Sequence, residues 1–250
     1  MPVLIFLSVM LQILCAVHAI RNDRARYWFP VLFIGSYLAV AAYVLVEILP
    51  DLRHDPRSRK VAAGVMNTLD PERQRRKIQQ HLEVADTVQN RQALAEECLH
   101  LGDYVNAAEL YRSMLKGMHA NNPGFMLGLA QAQAGLGDFS AARTTLDALI
   151  AANPDYRSSD GHLLYARCLE ELGENAAALH EYEVLSRSYP GEEARYRYAA
   201  LLLAYQRHDE ARNVLRDMLA RAKISPGYYR RKERPWLDAA RRELTKLEAG

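Results

Sequence analysis

Leu94-Ala95-Glu96-Glu97-Cys98-Leu99-His100-Leu101-Gly102-Asp103-Tyr104-Val105-Asn106-Ala107-Ala108 is a stretch that returns three times in altered form. The second version has Leu129-Ala130, then Gly137-Asp138-Phe139-Ser140-Ala141-Ala142. The third has Tyr165-Ala166, then Leu172-Gly173-Glu174-Asn175-Ala176-Ala177-Ala178. The fourth has Tyr198-Ala199, then Arg207-His208-Asp209-Glu210-Ala211. The marker alanines Ala107, Ala142, Ala178 and Ala211 lie 35, 36 and 33 residues apart. Self-similarity at such a period means stacked supersecondary units. Ala, Leu, Arg and Glu dominate and β-branched residues are sparse after position 60, so the units are helical.

Each landmark has a physical reason. Small residues (Ala95, Ala130, Ala166 and Ala199 in the first helix of a unit, the marker alanines in the second) let two antiparallel helices approach closely, where larger side chains would strain the packing. Gly102, Gly137 and Gly173 end first helices, where positive φ is often needed. The Asp or Asn that follows can cap the next helix. Pro154 and Pro190 stop second helices; the first unit delays its proline to Pro123, and the fourth lacks the turn glycine.

Together with Tyr111 and Tyr182, four residues after two of the marker alanines, these landmarks resemble the tetratricopeptide repeat over residues 88–222. The resemblance implies an α-solenoid of about four helix pairs whose concave face, built from the first helices, holds a protein or peptide partner. Carried over by position, that groove is lined by Gln92, Glu96, Leu99, Leu127, Gln131, Leu163, Arg167, Glu170, Tyr196 and Leu203. The family's charged clamp for C-terminal carboxylates is not found.

The first sixty residues read differently. From Val3 to Ile20 only Gln12 and His18 are strongly polar, and eighteen helical residues reach about 27 Å, enough to cross a bilayer core. A loop with Arg21, Arg24 and Arg26 follows, and Trp28 to Leu49 is apolar apart from Ser36 and Glu47. Tyr27, Trp28 and Phe29 suit an interfacial aromatic belt, and Pro50-Asp51 ends the span. The expectation is a transmembrane helical hairpin over residues 1–52. A signal peptide is the competing view, since Ala16-Val17-His18-Ala19 spaces small residues as at a cleavage site, but no Lys or Arg precedes the apolar run. The hairpin weakly resembles the N-terminal membrane segment of cardiolipin synthases and other phospholipase-D-type proteins. Their HxKxxxxD motif has no counterpart, because no HxK occurs. The positive-inside rule leans toward an inner or plasma membrane protein, multi-pass, with a cytoplasmic repeat domain.

Two pieces flank the repeats. Residues 53–87 form a basic linker and a lead-in helix, with Asp70 as N-cap, Pro71 at the first helical position and an end near Ala85. Its Arg73, Arg75, Arg76 and Lys77 make either a solvated face or a contact with anionic headgroups. Residues 223–250 interleave basic and aromatic groups (Tyr228 to Trp236) and then form a helix whose Trp236, Ala239, Ala240, Leu244 and Leu247 cap the last repeat. Nucleic-acid binding is the weaker reading of that segment.

The net charge of +2 hides an uneven distribution. Residues 1–87 hold 11 basic and 8 acidic groups, residues 88–220 hold 12 and 18, and residues 221–250 hold 9 and 4. Such a balance makes no general polyanion binder. Cys15, Cys98 and Cys168 form no CxxC pair and read as small buried residues, so no disulfide or metal is expected. No HExxH, Walker loop, GxSxG or GxGxxG occurs. Asp160 and His162 near Glu170, Glu171 and Glu174 read as a charged helix end.

The sequence therefore predicts an all-α protein without a cofactor and without catalysis, a membrane-anchored scaffold or adaptor; homo-oligomers stay open. The alternatives are an RNA-binding repeat protein or an accessory subunit of envelope or lipid biogenesis. The latter resembles the anchored repeat family of lipopolysaccharide assembly protein B, whose C-terminal metal module is cysteine-rich; no cysteine follows Cys168 here. Deleting residues 1–52 is expected to leave a soluble helical protein; aggregation, or loss of far-ultraviolet helical dichroism, would refute this division of the chain.

Overall fold

The turn that joins the two helices of a unit is built the same way four times. The computed structural model describes residues 70–249 together with Met10, Gln12, Ile13 and Val17. Contacts divide the chain into two units, 1–73 and 74–250. The hairpin expected over residues 1–52, the signal-peptide alternative and Cys15 lie outside the described residues. Among the described residues no helix is long and apolar enough to cross a membrane.

Eleven α-helices and no strand occur among the described residues. They are α1 (Arg73–Val84), α2 (Val88–Leu101), α3 (Tyr104–Met114), α4 (Pro123–Gly135), α5 (Phe139–Ala152), α6 (Ser159–Glu171), α7 (Asn175–Ser188), α8 (Glu193–Ala204), α9 (His208–Ile224), α10 (Gly227–Lys232) and α11 (Arg234–Ala249). The repeat pairs are α2/α3, α4/α5, α6/α7 and α8/α9. Two or three residues join the members of each pair, which forces them antiparallel. Gly102, Gly137 and Gly173 hold φ of 77°, 81° and 78° in those turns. The residue after each closes the helix with a backbone bond to a carbonyl five residues back: Asp103 to Cys98 (2.8 Å), Asp138 to Gln133 (3.0 Å), Glu174 to Leu169 (2.9 Å). Asp103 and Asp138 then cap the second helix through the amides of Asn106 and Ala141. Glu174 makes no such cap; its carboxylate pairs with Arg143 instead.

The fourth pair keeps this geometry without glycine. Gln206 takes φ 59°, the one positive φ at a non-glycine among the described residues, and Arg207 N–H bonds the Leu202 carbonyl at 2.9 Å. A side chain in that region costs about 1–2 kcal/mol. Pro123, expected to close the first unit, opens α4 instead; Asn122 caps it through the Phe125 amide, and α3 has already ended at Met114. The lead-in helix likewise begins later than expected. Pro71 and Glu72 form a turn, and the helix starts at Arg73.

All eight small positions singled out by the repeat are fully buried: Ala95, Ala107, Ala130, Ala142, Ala166, Ala178, Ala199 and Ala211. Around them sit separate clusters along the array. One joins Leu94, Cys98, Tyr111, Met114 and Phe125, with Ile78 and Leu82 of α1 against it. Another joins Leu169, Tyr182, Leu185 and Leu202. Cys98 and Cys168 lie in this interior, where burial pushes the Cys168 thiol up to about 11 and raises that of Cys98 as well.

Successive pairs also meet through glycine. A Cβ added to Gly128 would lie 2.2 Å from the Tyr111 ring, and one on Gly135 would lie 2.4 Å from the Tyr104 ring. Tyr104 and Tyr111 are seven apart on α3, and Gly128 and Gly135 are seven apart on α4. The two tyrosines therefore seat on bare backbone of the facing helix.

At the C-terminal end, Trp236, Leu237, Ala240, Leu244 and Leu247 of α11 pack on Ala199, Leu215, Met218 and Ala222. α11 thus covers the fourth pair. A buried polar cluster fastens it. The Glu233 carboxylate accepts the Glu192 amide at 2.9 Å, and the Tyr229 hydroxyl donates to Glu192 at 2.7 Å. Arg195 donates to Glu192 at 3.1 Å and to the Gly191 carbonyl at 2.9 Å. Burial, then the bond to Glu192, raises the Tyr229 pKa.

Three substitutions follow, each read by thermal unfolding. Ala178→Leu and Gly128→Ala overpack closed contacts and should each cost about 1–3 kcal/mol. Gln206→Gly relieves an unfavourable backbone and should raise the midpoint by up to about 1 kcal/mol of stability. An unchanged midpoint in the first two would argue against these contacts.

Candidate partner-binding groove

The expected groove residues come from the first helices of the four pairs: α2, α4, α6 and α8. Most keep part of their surface open. Gln92, Leu99, Leu127, Gln131, Arg167, Glu170, Tyr196 and Leu203 are half-buried and Glu96 is exposed. Leu163 departs from the expectation, because it is buried inside the cluster with Ala166, Tyr182 and Tyr198. Leu99, Leu127 and Leu203 also serve the core in part, each packing against a buried cluster. Leu127 lines a cleft of about 500 Å³ with Leu146, Leu149, Ile150 and Tyr165, residues of α4, α5 and α6.

Two of the expected residues belong to one charged network. Arg197 donates from Nη1 to Glu170 Oε2 at 2.9 Å and from Nε to Glu193 Oε1 at 2.9 Å. The Tyr182 hydroxyl donates to the same Glu170 oxygen at 2.7 Å. Arg167 Nε lies 3.7 Å from Glu193 Oε1 and has no hydrogen-bond partner. The guanidinium of Arg197 also sits 5.6 Å from the Trp236 ring centroid, and that ring meets Tyr196 at 5.6 Å. One chain of contacts thus runs from the third pair through the fourth to the cap. Burial works against the Arg197 charge, yet Tyr182, Glu170 and Glu193 hold its pKa above the ordinary value. Burial, then the bond to Glu170, raises the Tyr182 pKa. At the other end the groove is simpler, with Gln92 Nε2 donating to Glu96 Oε1 at 2.8 Å.

The sequence does not single out Glu193, Arg197 and Trp236 as groove residues. Arg197 sits four residues after Glu193, a spacing that marks helix ion pairs and is visible in the sequence. Its bond to Glu170, 27 residues away, carries no local signal.

The acidic residues grouped around His162 do not converge. His162 Nε2 meets Glu181 at 2.6 Å, Asp160 accepts from Tyr189, Glu170 belongs to the network above, and Glu174 holds Arg143. Among the described residues no three His, Cys, Asp or Glu side chains gather as a metal site.

Replacing Arg197 with Met keeps the side-chain length but leaves Glu170 and Glu193 without their shared donor. Stability should fall by about 1–3 kcal/mol, and Tyr182→Phe should cost about 1 kcal/mol, both in denaturant unfolding. A loss within the scatter of ordinary surface substitutions would show that the network is ornamental.

Residues 99–159 match the family model of the tetratricopeptide repeat. No curated protein matches the chain. Among solved structures, the chain is similar to a thermophilic TPR protein of Thermus thermophilus, at 19% identity and TM-score 0.49, over 69% of this chain and 88% of that one. It is similar to MamA at 19% identity and TM-score 0.45, over 62% and 93%. A tetratricopeptide repeat protein from Parabacteroides merdae aligns at 14% identity and TM-score 0.44, over 93% and 84%. The repeating pairs and their shared turns make α2 to α9 an all-α solenoid, and the family match places the tetratricopeptide repeat within it over residues 99–159.

Proposed function

We propose that this protein is a membrane-anchored, non-catalytic scaffold that holds a protein or peptide along the first helices of its repeats. The fold itself is one suited to protein–protein interaction. The observation that carries the reading is the row of side chains left partly open on successive first helices: Leu99, Gln131, Arg167, Glu170, Tyr196 and Leu203. Mixed apolar and polar groups with fixed partners make a surface that is ordered before a ligand arrives, which lowers the entropy cost of binding. Arg167 keeps about two fifths of its side chain exposed, 3.7 Å from Glu193, so its charge lies at this surface. An anchor in residues 1–52 would raise the local concentration of the bound partner at a bilayer. Support for it lies in the two apolar runs of the sequence.

The test uses the full chain as bait, with bound chains identified by mass spectrometry. Glu96→Lys combined with Gln131→Arg alters two polar groove positions, one exposed and one half-buried. Capture of a specific partner should fall at least about tenfold, with helical dichroism unchanged. Equal capture by the double variant would remove the groove from the account.

A further inference from the structure

The C-terminal cap has a second face that the groove does not use. Between α9 and α11 lies a cleft of about 380 Å³. Leu219, Ala222 and Leu244 are among its lining residues, as are Arg216, Lys223 and Arg230. Arg216 is held by Glu248 at 2.8 Å. Lys223, Arg230, Arg231 and Lys232 make no ion pair among the described residues. Residues 221–250 carry nine basic and four acidic groups, and one of those acids, Glu233, is buried against the Glu192 amide. The positive charge of this segment is therefore left largely to solvent.

Two exposed apolar side chains belong to the same segment. Ile224 is 88% exposed and Tyr228 is 76% exposed. Exposed aliphatic and tyrosine side chains flanked by Lys and Arg suit the boundary between headgroups and acyl chains. Nucleic acid fits less well, because binding single strands relies on aromatic platforms. Here Trp236 is engaged with Tyr196 and Arg197, and the Tyr229 hydroxyl is bound to Glu192 and to the Pro190 carbonyl, which leaves the single ring of Tyr228 where stacking successive bases needs several.

We propose that the basic face from Lys223 to Lys232, with the cleft beside it, is a contact surface for a bilayer containing anionic phospholipid, separate from any anchor in residues 1–52. Phosphate groups would meet Lys223 and Arg230, and Ile224 and Tyr228 would enter the interface. The proposal does not depend on the groove binding a peptide.

Hydrogen exchange on the full chain tests it. Detergent is removed in the presence of liposomes of phosphatidylcholine alone, or of phosphatidylcholine with phosphatidylglycerol as the minor component. Amides of 220–233 should be protected only with the anionic liposomes, and salt should weaken the protection. Lys223→Gln and Arg230→Gln should weaken the contact by about fivefold for each charge removed. Ile224→Ser with Tyr228→Ser, which keeps every charge, should weaken it as well. Equal exchange on both liposomes would overturn the proposal, as would protection that survives all four substitutions. So would protection produced by an RNA oligonucleotide on neutral liposomes and absent with phosphatidylglycerol. Flotation with phosphatidylcholine liposomes reads the anchor alone, so failure of one reading does not mask the other.

Discussion

The close approach of paired helices, with no side chain larger than a methyl group at the crossing, is the constraint on which the rest of the structure depends. Eight alanines occupy the small positions of the four pairs, and none has any exposed surface. Because the helices nearly touch, the turn between them must be tight, and a tight turn needs a residue at positive φ. Because each pair is alike, its outer faces repeat as well, and neighbouring pairs can stack in the same manner. Tyr104 and Tyr111 against Gly135 and Gly128 carry the same economy of space from one pair to the next. The clusters are consequently small and local, strung along the array and not gathered in one centre.

Features that recur at a fixed interval can be read in advance. The marker alanines, three of the four turn residues and the capping aspartates fall where repetition puts them. Gln206 is not legible, because nothing local says that glutamine will adopt a glycine conformation; the neighbouring helices impose it. Pro123 misleads for a related reason. A proline between helices can end one or begin the next, and only Asn122 capping the Phe125 amide decides which. The groove is legible as a set of helices and less so as a set of side chains. Leu163 turns inward because the stacking offset between neighbouring pairs is not written in either pair alone. The bond from Arg197 to Glu170 depends on the same kind of offset between the third and fourth.

The array and its cap divide the available chemistry. On the first helices the polar groups are held by neighbours: Glu170 and Glu193 share Arg197, and the neutral Gln92 amide donates to Glu96. Specificity there would come from shape and from a few directed donors. At the C-terminal end the cations lie mostly uncompensated, and Trp236 and Tyr229 beside them are drawn inward. A surface of that kind acts through summed charge, which requires no fixed geometry in its ligand. The two faces answer to different physical rules although they share the fourth pair.

The buried cluster of Glu192, Arg195, Tyr229 and Glu233 has a consequence for how such an array can evolve. Repeat proteins lengthen readily by duplication when the last unit presents an ordinary stacking face. Here that face is joined to the cap by two oriented bonds, from the Glu192 amide to Glu233 and from the Tyr229 hydroxyl to the Glu192 carboxylate. A fifth pair inserted after α9 would have to reproduce both partners or leave the Glu192 amide and one of its carboxylate oxygens without a partner in a buried contact. Growth at this end therefore carries a cost that insertion between ordinary pairs, elsewhere along the solenoid, does not.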